Sequence, residues 1–75
     1  MKRVRLESAA IAAVRYHEEK QTLDVEFRGG DVYRYAHVPK FVYRELLKAE
    51  SARAFWNQVK DNYESTHLGE ADRRQ

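Results

Sequence analysis

Lys40, Arg44 and Lys48 recur at i, i+4 and i+8 in "KFVYRELLK", a spacing that lines three cations along one side of a helix. A second group, Arg53, Asn57 and Lys60, follows in "ARAFWNQVK", with Phe41 and Trp56 at the margins of the two groups. Cations in such rows neutralise nucleic-acid phosphates, and aromatic rings beside them stack on bases for about 1–3 kcal/mol each. The same stripe on a small helix is most often a solvated face, so its chemistry depends on what surrounds it.

Other chemistries find less support. Catalysis needs a nucleophile with its base, or two carboxylates held at different pKa values. Ser8 and His37 have no sequence relation that brings them together, and Asp24 and Glu26 sit among arginines as a surface charge ladder would. His17, His37 and His67 are far apart and there is no cysteine, so neither a metal site nor a cofactor is expected. The chain is expected not to be an enzyme.

Tyr33 and Tyr35, one residue apart after Gly29-Gly30, are the remaining candidates. On an open sheet they would form a stacking platform; on a covered one they would fill the core. The answer lies in the strands that carry them. Residues 12–16 and 22–28 read as strands around the polar connection "HEEKQ". In "TLDVEFR", Leu23, Val25 and Phe27 alternate with Asp24, Glu26 and Arg28, giving one dry and one wet face. The glycine pair turns the chain into a third strand. A three-residue loop of Gly29, Gly30 and Asp31 sets Phe27 opposite Tyr33 and Val25 opposite Tyr35, with Glu26 facing Arg34. A two- or four-residue loop would place the tyrosines beside Glu26 and Asp24 instead. The hydrophobic pattern favours the first register, with both rings on the dry face. Val14 then aligns with Val25, and Tyr16 with Leu23.

Pro39 suits the start of a helix, and from Lys40 onward Val42, Tyr43, Leu46, Leu47 and Ala49 fill one sector. Ser51 is a candidate N-cap for a second helix whose apolar face is Ala52, Phe55, Trp56, Val59 and Tyr63. "ESTHLGEADRRQ" has little to bury and reads as disordered. The expected fold is α+β: a three-stranded antiparallel meander with two C-terminal helices packed on one face, in the order βββαα. Residues 1–6 form a basic arm, 7–63 the domain and 64–75 the disordered tail.

Seventy-five residues allow one small domain that buries about 60% of its unfolded surface. The net charge of +2 is unevenly placed. Lys2, Arg3 and Arg5 put +3 in the arm, residues 6–63 balance nine Lys/Arg against nine Asp/Glu, and the tail contributes −1. Within the domain, residues 6–37 sum to −2 and residues 38–63 to +2. That division points any nucleic-acid surface to the helices and away from the open sheet. No apolar run approaches the roughly 20 residues of a membrane span, and the N-terminal apolar stretch is shorter than a signal peptide requires, so a soluble cytoplasmic protein is expected.

The run "SAAIAAVRYHEEKQTLDVEFRGGDVYRYAHVP" followed by "SARAFWNQVKDNY" resembles the KTSC domain, a short bacterial module found alone and at the C-terminus of some lysyl-tRNA synthetases. The matching positions are Ser8, Ile11, Tyr16, the "TLDVEF" strand, Tyr33-Arg34-Tyr35, Val38-Pro39, Ser51, Phe55, Asn57 and Tyr63. Arg15 and Arg53 stand where the family often has glycine, Val59-Lys60 where it has isoleucine-arginine, and Trp56 where it has a phenylalanine-like residue. The company of tRNA enzymes implies RNA binding. We therefore expect weak, salt-dependent RNA contact through Lys40, Arg44, Lys48, Arg53, Asn57, Lys60, Phe41 and Trp56. The alternative is a protein-interaction module anchored by Phe41 and Trp56.

Overall fold

The computed structural model describes residues 3–70. The chain runs β1 (Arg3–Arg5), β2 (Ile11–His17), β3 (Thr22–Phe27), β4 (Asp31–Tyr35), α1 (Lys40–Lys48), α2 (Ala52–Val59), a 3-10 turn (Lys60–Asn62) and β5 (Ser65–Glu70). The strands form one antiparallel sheet in the order β1-β2-β3-β4-β5, with both helices inserted between β4 and β5. This is the expected α+β class, but the sheet has five strands where the sequence reading found three.

Both added strands lie at the edges, where backbone pairing needs little apolar surface. In β1 only Val4 turns inward, opposite Val14. In β5 the sequence "STHLGE" has no apolar alternation, and Leu68 remains exposed. What holds β5 is the ladder to β4, the backbone bond from Ala36 N to Glu64 O at 2.9 Å, and the His67 ring against Tyr33 at 4.7 Å. The reading of residues 64–75 as disordered is therefore corrected for 65–70, and Arg3–Arg5 of the supposed arm is strand. Lys2 and residues 71–75 lie outside the described residues.

The two central hairpins set the faces. Val14 pairs with Val25 and Tyr16 with Leu23, as the hydrophobic pattern predicts. In the next hairpin Val25 pairs with Tyr33 and Leu23 with Tyr35, two residues from the expected register. The loop has three residues but is Arg28, Gly29 and Gly30, not Gly29 to Asp31. Gly30, at φ +109°, occupies the left-handed position that closes such a loop, and its amide donates to Phe27 O at 2.9 Å. A shift of two preserves the parity of every side chain. Both tyrosines consequently stay on the dry face, while the partner of Arg34 changes from Glu26 to Asp24.

The core joins Ile11, Val14, Tyr16, Leu23, Val25, Tyr35 and Val38 to Val42 and Leu46 of α1 and Trp56 of α2. The rings interlock. Tyr16 stacks on Tyr43 at 4.9 Å and donates its hydroxyl to Val38 O at 2.7 Å, and the edge of Tyr35 meets Trp56 at 4.9 Å. Tyr33 is half-buried at the rim between Phe27 and His67. The tyrosine pair belongs to the core and its rim, so the stacking-platform reading of it is set aside.

Ser51 caps α2 by accepting from Ala54 N at 3.1 Å. Ser51→Ala removes that acceptor, and we expect a loss of about 1 kcal/mol, read as a lower urea midpoint at unchanged m-value. Pro39 is the N-cap residue of α1, its carbonyl accepting from Val42 N at 3.0 Å with no side-chain cap bond.

Candidate nucleic-acid interface

Helix α1 turns Val42 and Leu46 into the core, which forces Lys40, Arg44 and Lys48 outward. Phe41 shares this outer side and is 65% exposed, the most exposed large apolar residue among those described. The lysines are not free. Lys40 Nζ reaches Glu18 Oε2 at 2.7 Å, Lys48 Nζ reaches Glu45 Oε2 at 3.7 Å, and Lys60 Nζ reaches Asp61 Oδ1 at 3.3 Å. Lys40 in turn holds the Glu18 carboxyl below its ordinary pKa, first by hydrogen bonding and then by charge. Arg44 on α1 and Arg53 on α2 are exposed and have no ion-pair partner among the described residues. Asn57 is exposed on α2, while Lys60 sits in the 3-10 turn beyond it.

Trp56 is the correction. It is 1% exposed, in the middle of the α2 face, enclosed by Tyr35 and by Tyr63, which stacks on it at 6.1 Å. Its Nε1 has no hydrogen-bond partner among the described residues. A ring so placed cannot stack on a base or anchor a partner protein. The amphipathic spacing had already assigned it to the apolar face; its place beside Arg53 and Asn57 in the chain obscured that.

The uncovered face of the sheet holds the charge ladder expected around Asp24 and Glu26, extended by Arg3 and Arg5 of β1, which the sequence reading had placed in an arm. Antiparallel register places Arg3, Arg15, Asp24, Arg34 and Thr66 in one row across all five strands. The adjoining row contains Arg5, Ala13 and Glu26. Glu26 receives Arg3 through Nε at 2.8 Å and Nη2 at 2.9 Å. Asp24 receives Arg34 through Nε at 2.7 Å and Nη2 at 2.9 Å, and also bonds His17 Nε2 at 3.2 Å. Burial pushes the Asp24 carboxyl up, but the bonds from Arg34 and His17 outweigh it and hold the pKa below the ordinary value. The Arg3 fork lowers Glu26 against a smaller opposing effect of burial.

Four arginines thus share this face with two carboxylates, a surplus of +2 that comes entirely from Arg3 and Arg5 of β1; within residues 6–37, which sum to −2 as a segment, the face balances Arg15 and Arg34 against Asp24 and Glu26. The remaining acids of that segment, Glu7, Glu18, Glu19 and Asp31, lie outside these rows in connections or at the end of a strand. Assigning Arg3 and Arg5 to an arm left their charge off the sheet. Only charge counted by face bears on a partner.

Ser8, Asp24 and Glu26, the residues that suggested chemistry, have structural partners among the described residues. Ser8 Oγ accepts from Ala10 N and Ile11 N, both at 3.2 Å, shaping the entry to β2. His37 is exposed at φ +59° after β4 and makes no side-chain hydrogen bond among the described residues. The cleft bounded by His17, Glu18, Glu19, Lys20, Thr22 and Arg34 carries two acids and two cations, so its charge does not select an anion. No helix among the described residues is long and apolar enough to cross a membrane.

The KTSC domain profile matches residues 7–63, the span from the turn before β2 through the 3-10 turn after α2. The chain belongs to the KTSC domain family. Its fold is similar to the crystal structure of a KTSC domain protein from Yersinia pestis, with a TM-score of 0.86 at 25% identity over 91% of this chain and 97% of that one. An uncharacterized protein of Stutzerimonas stutzeri is 46% identical over 59 residues, covering 79% of this chain and 83% of the relative. A protein of Tsukamurella paurometabola is 43% identical over 54 residues, 72% of this chain and 81% of the relative. In this KTSC domain the residues that carried the resemblance are largely architectural: Ser8 shapes a turn, Tyr16 bonds Val38 O, Ser51 caps α2 and Tyr63 covers Trp56.

Proposed function

We propose that this KTSC domain is a non-catalytic RNA-binding module whose helical layer meets RNA through the outer side of α1. The observation that carries the reading is Phe41, a 65% exposed ring on the same side of the helix as Arg44 and Lys48. The ring gives a base a stacking surface, and Arg44, three residues on, offers an unpaired guanidinium to the adjoining phosphate. Arg53 and Asn57 on α2 extend the polar surface. Lys40 and Lys48 must exchange their carboxylate partners for phosphate, which makes the contact weak and sensitive to salt.

The protein-interaction reading retains Phe41 and loses Trp56. Leu47, the other exposed apolar residue of α1, is about 120° around the helix from Phe41, so the two do not form one patch. The RNA reading therefore uses more of the surface.

Charge reversal of Lys40, Arg44 and Lys48 together to glutamate tests it. Affinity for a short RNA is expected to fall at least about tenfold while thermal stability stays within about 1 kcal/mol of the parent. Equal affinity in variant and parent would remove α1 from the interface.

A further inference from the structure

We infer that the uncovered sheet face is a second phosphate-contacting surface, on which the backbone of one RNA strand crosses β1 to β4. The inference rests on the RNA-binding reading and assigns it a face of its own. Arg3 and Arg15 are directly opposed across β1 and β2. Asp24 opposite Arg15 and Glu26 forked to Arg3 offset part of the repulsion between these like charges, and a polyanion lying over them relieves the remainder.

Arg3 and Arg34 are each clamped by a carboxylate through Nε and Nη2, which fixes the guanidinium and leaves Nη1 without an acceptor among the described residues. Arg5 and Arg15 are exposed and make no hydrogen bond or ion pair among the described residues. The face thus offers two pre-positioned and two free guanidinium groups. All four cations are arginine, whose planar fork matches phosphate oxygens in pairs, where lysine would supply only a point charge. The occupant that fits is a chain of phosphates rather than an acidic peptide, because the cations are spread over β1, β2 and β4 while Asp24 and Glu26 of β3 already fill the carboxylate positions between them.

The test measures anisotropy of a short fluorescein-labelled oligouridine in a salt series, with parent protein, R5Q/R15Q, R5K/R15K and the α1 triple-glutamate variant. Neither Arg5 nor Arg15 is bonded within the described fold, so R5Q/R15Q is expected to keep the parent's circular dichroism. Its affinity should fall about tenfold, and its log–log salt slope should decrease by about 1.4 for two lost contacts. R5K/R15K should retain the slope and lose only part of the affinity. Parent-like affinity and slope in R5Q/R15Q, with binding still lost in the α1 variant, would overturn the sheet-face inference and leave the helical reading standing. Absence of binding by the parent at the lowest salt would overturn both. Tripolyphosphate binding as tightly as the oligouridine would overturn the assignment to an RNA strand.

Discussion

Trp56→Ala is expected to lower stability by about 4 kcal/mol and the melting temperature by about 20 °C. The indole is fully buried between the edge of Tyr35 and the face of Tyr63, and it joins α2 to the sheet. Removing it opens a void that neighbours in a close-packed core cannot fill. A chain of this length holds only about 4–11 kcal/mol in total, so the change removes from about a third to all of its stability. Trp56→Phe is the informative companion. It keeps a ring against Tyr35 and removes a buried Nε1 donor that lacks an acceptor among the described residues, which offsets part of the lost volume. We expect a cost of about 1 kcal/mol for that change, and chemical denaturation of both variants would check the ordering. If Trp56→Ala melts with the parent, the indole is not in the core.

The second large effect concerns the carboxylate under the sheet-face arginines. Asp24 and Arg34 form one forked pair, yet removing either partner is not equivalent. The Asp24 side chain is 13% exposed and that of Arg34 is 44% exposed. Arg34→Ala leaves a buried carboxylate with only His17 beside it, and should cost about 3 kcal/mol. Asp24→Asn leaves the guanidinium free to hydrate, and should cost about 2 kcal/mol. The pH dependence follows from the same contacts. Asp24 and Glu26 have pKa values lowered by folding. Their stabilisation is therefore fully present above the unfolded-state values of about 4, and it drains away as pH falls through the lower folded values. Parent protein should lose stability steeply below about pH 4, whereas Asp24→Asn should show a shallower acid limb. Urea midpoints across a pH series would reveal the difference. An unchanged acid limb in Asp24→Asn would place the acid sensitivity elsewhere.

The sequence showed its faces more clearly than its edges. Strict alternation in β3 sorted Leu23 and Val25 from Asp24 and Glu26, and the parity rule kept Tyr33 and Tyr35 inside despite a register displaced by two residues. The displacement arose because either Gly29-Gly30-Asp31 or Arg28-Gly29-Gly30 makes a three-residue loop, and both leave the hydrophobic face intact. Both helices were legible from Pro39, the Ser51 cap and the apolar spacing. Strands β1 and β5 were not, because edge strands gain their pairing from backbone groups that every residue carries, and "STHLGE" has no periodicity to betray it.

Legibility of the candidate surfaces followed the same division. The stripe Lys40, Arg44, Lys48 is local to one helix, so its spacing could be read directly. The arginine row across β1 to β4 is assembled from residues up to 31 positions apart, from Arg3 to Arg34, and emerges only once the register is known. Ion pairing is equally non-local: no spacing rule joins Lys40 to Glu18 or Arg3 to Glu26. Trp56 shows the reverse error, in which neighbourhood along the chain suggested an exposure that helical geometry denies.

The most direct measurement is the affinity of the parent domain for a short labelled oligouridine as salt is raised. The proposed function requires binding at low ionic strength, with log affinity falling linearly as log salt increases. No detectable binding at the lowest salt, or an affinity indifferent to salt, would contradict it.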